Sequence, residues 1–430
     1  MRVQFAALAA CLVACAAAWP AASTEPAVAA NPLSLDDAMA RVAQAHPTLE
    51  LIGARGNLLA AERDGAVQRP PLVAGAQLEN ALGSGEYSDL DGAEFTLSLA
   101  SVLERGGKLD ARRTLVQSRI DALAIERESR RLDLLAEVAR RYLAVSAAQR
   151  QGEIAEFDIV QRQRTVAAAR RRLQAGASPE SVVLTAEAAL ARAELARDRA
   201  GQQAAAALQH LAALWGEKDP QYAIVAGDPL LLPIVEDATA LAALLERTPE
   251  LAQFADERRI REARLQLARS SASADLEWQV GVRRLLTTDD TALVAGLSLP
   301  LGSRRRAGPE IRAAEAELAT LEFEREARDL SLYSTLVEAH GRYRVAQFEV
   351  RRLHDEVLPK LARAETAAER AYRAGAISYL EWAQLQSERT AARRQQLDVA
   401  IDAQRALIEI QRLTGQPFVA LAATEQGSTP

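Results

Sequence analysis

Between Lys108 and Ala175 the sequence contains no proline, and a helical pattern of apolar residues persists throughout. A helix of roughly 70 residues rises about 100 Å, at 1.5 Å per residue. No compact domain has use for such an element, so the chain must build something elongated. A second long helix shows in the steps of four and three that join Leu332, Leu336, Ala339, Tyr343, Ala346, Val350, Leu353 and Val357. That spacing is a heptad seam, which faces another helix along its whole length.

The two long segments belong to two copies of one unit. Leu211 to Gly216 answers Ile410 to Gly415, and Ala175-Gly176-Ala177 answers Ala374-Gly375-Ala376. Leu97-Ser98-Leu99 answers Leu297-Ser298-Leu299, and Pro47-Thr48-Leu49 answers Pro249-Glu250-Leu251. Four anchors share one offset of about 200 residues, which marks an internal repeat. The copies span 33–216 and 237–418. Between them, 217–236 is a linker punctuated by Pro220, Pro229 and Pro233, and 419–430 is a small, polar tail.

Each copy reads helix, two strands, very long helix, helix. Ser34 with Asp37 has the spacing of a capping box, and Pro47 and Pro249 suit the first turn of a helix. Arg69-Pro70-Pro71 ends the opening helix, because two prolines cannot continue it. Apolar residues then alternate: Phe95, Leu97 and Leu99 in copy one; Leu276, Trp278, Val280 and Val282, then Leu293, Ala295, Leu297, Leu299 and Leu301, in copy two. Leu72, Ala74, Ala76 and Leu78 repeat the pattern more weakly. Strands are expected near 72–82, 93–103, 275–285 and 291–301. Such alternation suits either a membrane barrel, with apolar side chains toward lipid, or a soluble hairpin buried on one face.

The long helices choose between them. After Gly176 and Gly375 the chain turns back into helices of roughly half the length. Two short helices stacked end to end then pair antiparallel with one long one. Both hairpins fall at one end and both glycine turns at the other. One chain supplies four strands, and an open sheet edge is not tolerated in lipid, so several copies must share one barrel.

Composition removes other readings. Aromatic residues are 4% and the formal charge is -6, which argues against a stacking platform and against nucleic acid. The histidines are His46, His210, His340 and His354, with no metal-ligand spacing, and the cysteines are Cys11 and Cys15. A zinc ribbon, a thiol catalyst and a disulfide framework are therefore excluded from the body. No phosphate loop, nucleophile elbow or catalytic carboxylate pair emerges, so no enzyme and no cofactor is expected. Arg2 and the apolar run from Phe5 to Ala18 form a signal peptide over 1–22. Leu12-Val13-Ala14-Cys15 also reads as a lipobox, making Cys15 a candidate lipidation site; the plainer reading is a small residue of the apolar run.

These residues together resemble the TolC-type outer membrane factors, and most closely the CzcC-like subgroup of metal-cation efflux. The resemblance rests on Leu33 to Ala38 with Pro47 following, Glu79-Asn80, the strand from Phe95 to Leu99, and Glu104 to Lys108 with Arg112-Arg113. It rests also on the strand from Leu297 to Leu301 and on the two Ala-Gly-Ala turns. It implies a mainly α fold with a small β part. The duplicated unit would give four strands to a trimeric outer-membrane β-barrel above a long antiparallel α-helical barrel in the periplasm. It implies a homotrimer set in outer-membrane lipid, a periplasmic adaptor protein and an inner-membrane pump of the resistance-nodulation-division type. The sequence has no His-rich or Met-rich stretch, as befits a passive conduit that must release what it carries. The same duct serving drug efflux or type I secretion, and a pore-less coiled-coil scaffold, are the alternatives.

Site expectations follow. Gly176, Ala177, Ser178, Gly375, Ala376 and Ser378 form turns, with glycine supplying the left-handed helix end and the serines capping the next helices. The resemblance makes them an adaptor-docking tip. Glu180, Glu381 and Gln384 lie just beyond; they are first-turn residues favoured by the helix dipole, or, for Glu381 and Gln384, a tunnel gate. Glu94, Glu277 and Arg283 are expected on the barrel's inner face, where they would tune conductance, or equally on a merely solvated strand face, and His46 as a helix cap.

Overall fold

The computed structural model describes residues 31–418 except Asp89 and Ala226. The signal peptide, Cys15 and the tail beyond 418 lie outside the described residues.

The chain opens with β1 (Asn31–Leu33) and α1 (Leu35–Ala45), whose first turn is closed by a capping box between Ser34 and Asp37. His46 then separates α1 from α2 (Pro47–Ala66): Pro47 lacks the N–H that would continue the first helix and is preorganised to begin the second. The His46 ring nitrogen accepts from the Thr48 N–H at 3.2 Å, so this histidine is the expected cap. Two strands follow, β2 (Val73–Glu79) and β3 (Glu94–Leu103), and then α3, which runs unbroken from Lys108 to Gln174. The chain returns through α4 (Glu180–Ala212), and β4 (Tyr222–Ile224) lies in the linker. The second half repeats the order: α5 (Ala238–Leu245), α6 (Pro249–Ser270), β5 (Leu276–Leu285), β6 (Asp290–Ser298), α7 (Ser303–Arg352), α8 (Leu358–Arg373) and α9 (Tyr379–Thr414).

The hairpins join into one antiparallel sheet in the order β2-β3-β5-β6, leaving β2 and β6 as edges. Leu97 lies opposite Val282 and Leu99 opposite Val280, while Trp278 faces Leu297. All of these fall on one face because the side-chain period is two. The opposite face carries Glu79, Glu94, Thr96, Ser98, Gln279 and Arg283. The apolar face is bare: Leu297 is 76% exposed and Leu293 87%.

The helices form a single row of staves. Beside the sheet the order is α2, α3, α6, α7; toward the glycine turns it is α4, α3, α9, then α7 and α8. The main core lies midway, where Tyr142, Leu143, Leu336, Tyr343, Ile408 and Ile410 are buried together. There the linker is strapped across the staves. Gln404 donates to the carbonyls of Pro229 and Leu231 at 3.2 and 3.1 Å, and the Tyr343 hydroxyl donates to that of Pro233. The Tyr142 hydroxyl lies within 2.9 Å of the Leu33 and Val225 carbonyls, beside the parallel pairing of β1 with β4.

The second long helix is not a continuous α-helix. Leu353–Val357 forms a π turn. The seam explains it: after Leu353 the inward residues are Val357, Leu361 and Glu365, steps of four where a heptad alternates four and three. One residue too many is absorbed as a π bulge, and the seam keeps facing its partner. Pro359, just beyond, lacks an amide donor and is tolerated in the first turn of α8.

Candidate functional site

At the end of α3, the Gly176 N–H bonds the Leu173 carbonyl and the Ala177 N–H bonds that of Arg172, both at 2.9 Å. At the end of α8 the same bonds run from Gly375 to Tyr372 and from Ala376 to Ala371. These are Schellman turns, and both glycines hold positive φ, 70° and 79°. The two turns are neighbours. Arg172 donates to the Tyr372 carbonyl at 2.8 Å, and its guanidinium stands 4.8 Å from the Tyr372 ring centroid. Arg172 therefore ties one turn to the other, a link that no local motif announces. Gly176, Ala177, Gly375, Ala376 and Ser378 are exposed, and Ser178 is half-buried.

The next helices are capped unequally. Ser378 accepts from the Glu381 N–H at 3.3 Å while the Glu381 carboxylate accepts from the Ser378 N–H at 2.8 Å, a complete capping box. Those bonds, from the Ser378 backbone first and its hydroxyl second, hold the Glu381 carboxyl below the usual range. Ser178 does not cap. The position before α4 is Pro179, which has no side-chain oxygen to offer. The expectation for Ser178 is corrected: proline already fixes the φ of that position, and the serine falls one residue too early. Gln384 donates to Glu388 at 3.0 Å, one turn along the same helix.

Behind the second turn, Trp382 is buried against Tyr372, their ring centroids 5.2 Å apart, with Ala168 and Ala368 completing the cluster. Leu380, beside it, is 72% exposed. Further along α3 and α9 the contact turns polar. Arg162 donates to Asp158 at 3.2 Å and to Ser387 at 3.1 Å, and Thr390 donates to Asp158 at 3.0 Å. The Gln386 amide donates to Thr165 at 2.9 Å, and Arg389 pairs with the buried Glu365 at 2.6 Å. Burial demands such partners, since an unpaired charge there is costly.

At the far end, Arg283 binds two carboxylates on two neighbouring strands, Glu94 at 2.7 Å and Glu79 at 3.0 Å, and reaches Thr96 at 3.0 Å. Asn80 donates to Glu94 at 3.1 Å. Glu94 and Arg283 thus share the polar face of the sheet, as expected, and Glu277 lies exposed on it without an ion-pair partner among the described residues.

Where the sheet meets the helices, Glu104 takes a two-point bond from Arg112, both contacts at 2.7 Å, which holds its carboxyl below the usual range. Lys108 pairs with Asp275 at 2.7 Å, fastening the first half to the second. At Gly106 a Cβ would meet the Ser273 hydroxyl at 2.3 Å, so only glycine fits. The segment from Glu104 to Lys108 is a structural joint.

Among the described residues, no group of three or more His, Cys, Asp or Glu side chains is placed to hold a metal ion, and no helix is long and apolar enough to cross a membrane.

A family model described as outer membrane efflux protein matches residues 26–217. The cobalt-zinc-cadmium resistance protein CzcC of Cupriavidus metallidurans is 27% identical over 398 residues, which cover 91% of this chain and 92% of that protein. Among solved structures, CusC superposes with a TM-score of 0.73 at 17% identity, covering 89% of this chain and 92% of CusC. The outer membrane protein VceC of Vibrio cholerae does so with 0.69 at 16% identity, covering 89% of this chain and 96% of VceC. The fold is thus TolC-like, and residues 26–217 match the outer membrane efflux protein family.

Proposed function

We propose that three copies of this chain form the outer-membrane exit duct of a tripartite resistance-nodulation-division efflux system, and that the duct carries divalent heavy-metal cations. The family is one of transport ducts, not enzymes, so the function lies in assembly.

One observation carries the assembly: the row of staves has two bare apolar edges. On α7, Leu332, Leu336, Ala339 and Tyr343 are buried, while Phe323, Leu330, Tyr333, Val337, Val345 and Phe348 are exposed half a turn round the helix. On the other edge, Leu51 and Leu58 of α2 and Leu184 and Leu195 of α4 are exposed at spacings of whole turns. The sheet ends in step with the staves: its two edge strands are β2, which follows α2 in the chain, and β6, which leads into α7. Edges that differ from each other join head to tail, and a rotation that closes makes a ring. Closure also removes the open strand edges that lipid forbids. Three copies, giving twelve strands, follow the family resemblance. The turns at Gly176 and Gly375, with Ala177, Ser178, Ala376 and Ser378, then point away from the membrane as the surface for the periplasmic adaptor. Glu381, exposed and ionised, would repeat three times near the tunnel entrance beside Gln384. Residues 1–22 direct the chain out of the cytoplasm.

The cargo reading rests on the CzcC relative, a cobalt-zinc-cadmium resistance protein. Deleting the gene is expected to lower tolerance to Zn, Co or Cd, with heat-modifiable trimers of the parent protein in the outer-membrane fraction. Unchanged metal tolerance with new sensitivity to hydrophobic drugs would transfer the same duct to drug efflux. Monomers in the soluble periplasm would end the duct reading altogether.

A further inference from the structure

The sheet is electrically polarised along its strands. The loop that joins β2 to β3 and its flanks, residues 79–94, carries Glu79, Glu86, Asp89, Asp91 and Glu94 and no cation of its own, with Arg283 of β5 pairing Glu79 and Glu94. At the helix end the sign reverses. The four connections there, 66–72, 104–113, 271–275 and 299–309, hold Arg69, Arg105, Lys108, Arg112, Arg113, Arg304, Arg305 and Arg306 against Glu104, Asp110 and Asp275. That is a local excess of five positive charges on a chain whose formal charge is -6.

Two of these cations are neutralised within the fold, Lys108 by Asp275 and Arg112 by Glu104. The other six are exposed and make no ion pair among the described residues. Arg304, Arg305 and Arg306 occupy the first turn of α7, which contains no acid. Positive charge there opposes the helix dipole, so the position is unfavourable unless an anion is supplied from outside. Directly before them runs Leu297, Leu299 and Leu301, exposed on the apolar face of β6 and its extension. Three consecutive residues sweep about 200° round a helix, so at least one of the three arginines lies on the side of that apolar face. Their stems can lie along it while the guanidinium groups reach outward.

We infer that this girdle binds the phosphate groups of anionic phospholipids in the periplasmic leaflet, and so fixes the depth at which the barrel sits. The inference rests on the reading that the apolar face of the sheet is set in outer-membrane lipid. Arginine forks match phosphate in two-point bonds, and a basic cluster beside an apolar belt is the sequence mark of an anionic lipid surface. An acidic protein ligand would offer the same charge, but it would not explain why the cluster borders bare leucines.

Trp278 supplies a built-in reporter. It lies on the apolar face near the helix end of β5, opposite Ser101 and Leu297. The mature protein carrying Trp215→Phe and Trp382→Phe is reconstituted in phosphatidylcholine containing either brominated phosphatidylglycerol or brominated phosphatidylcholine. Quenching of Trp278 is then read. Preferential quenching by the phosphatidylglycerol, weakened by added salt, is expected. The triple change Arg304→Gln, Arg305→Gln, Arg306→Gln should reduce that preference by about five-fold or more, the worth of one arginine at an anionic surface. The distant exposed triple Arg164→Gln, Arg171→Gln, Arg192→Gln should leave it unchanged. Equal quenching by both lipids in the parent, or an undiminished preference in the first triple, overturns the girdle while leaving the membrane reading standing. Displacement of the phosphatidylglycerol by inorganic phosphate at constant ionic strength overturns it in favour of an isolated phosphate site. No quenching by either lipid removes the sheet from the membrane and the girdle with it.

Discussion

At Gly176 and at Gly375 the chain closes a long helix with the same two backbone bonds and the same left-handed glycine. Beyond the glycine the turns part. The first leaves through Pro179, with small residues behind it: Val166, Ala169, Val183 and Ala186. The second leaves through a serine capping box and is backed by Trp382 stacked on Tyr372. The two turns thus share what the backbone needs in order to reverse, and differ in packing and capping. The first turn is held by its dihedral angles, the second by side chains. If both turns form one tip, the second is where side-chain substitutions should register most.

The largest difference is expected at Trp382. Trp382→Ala empties the second turn's core, where Trp382 is 1% exposed, and such truncations cost about 3–5 kcal/mol. Hydrogen exchange over residues 368–386 should accelerate accordingly, while residues 166–186 change little. Trp382→Phe should be far milder, because the indole N–H has no partner among the described residues. Equal acceleration in both turns would show that they unfold as one body and that the contrast is illusory.

Gly375→Val and Gly176→Val come next. A Cβ at Gly176 meets nothing within 4 Å, and at Gly375 only Arg172 at 3.9 Å. The cost is then the left-handed penalty alone, roughly 1–2 kcal/mol, and trimers should survive it. What should fail is docking: cross-linking from position 376 or 378 to the adaptor should fall, and efflux with it. Intact trimers with undiminished cross-linking and efflux would falsify the assignment of these turns as the docking tip.

The two turns were legible in the sequence; the contrast between them was not, for physical reasons. Gly176, Gly375, Pro47 and the Ser34 box speak through local backbone chemistry, which a sequence displays directly. The strands and seams speak through periods of two and of three to four. By contrast, Arg172 reaches Tyr372 across two hundred residues of chain, and Arg283 gathers Glu79 and Glu94 from two strands; neither leaves a periodic trace. The pairing of β1 with β4 is three residues long, too short for a period to show. The π turn did leave a mark, the spacing of four between Leu353, Val357 and Leu361, but a seam read only as far as Val357 stops before the surplus residue appears.

Ser378→Ala should act on the second turn with a pH signature that the first turn lacks. Losing a serine cap costs about 1 kcal/mol. The Glu381 carboxyl is held below its ordinary value of 4.5 by the Ser378 N–H and hydroxyl. A carboxyl lowered by folding contributes stability that is present above its unfolded value and lost as pH falls through the folded one. The gap in helix stability between parent and variant, measured by exchange near residue 381, should therefore be full at neutral pH and narrow below 4.5. The variant keeps the N–H of residue 378, so a gap that stays constant into acid would mean that the Ser378 hydroxyl adds nothing to the hold on the Glu381 carboxyl.

Ser178→Ala should do almost nothing, and that near-silence is the sharpest check on the comparison. Ser178 follows its glycine as Ser378 follows the other, but one residue sooner, and a capping role would predict the same loss of about 1 kcal/mol as at Ser378. The structure gives the capping position to Pro179 instead, and the Val182 N–H bonds the Pro179 carbonyl at 3.2 Å. With its hydroxyl bonded to no backbone amide of α4, removing it should stay within about 0.5 kcal/mol, as for substitutions away from any cap or core. The converse change separates cause from accident. Pro179→Ser places an oxygen at the capping position with Val182 three residues on, in a first turn whose acid, Glu180, is already suited to the helix dipole. If that variant slows exchange in the first turn of α4 while Ser178→Ala leaves it alone, the two turns differ by one residue of register and not by any difference in what a helix needs.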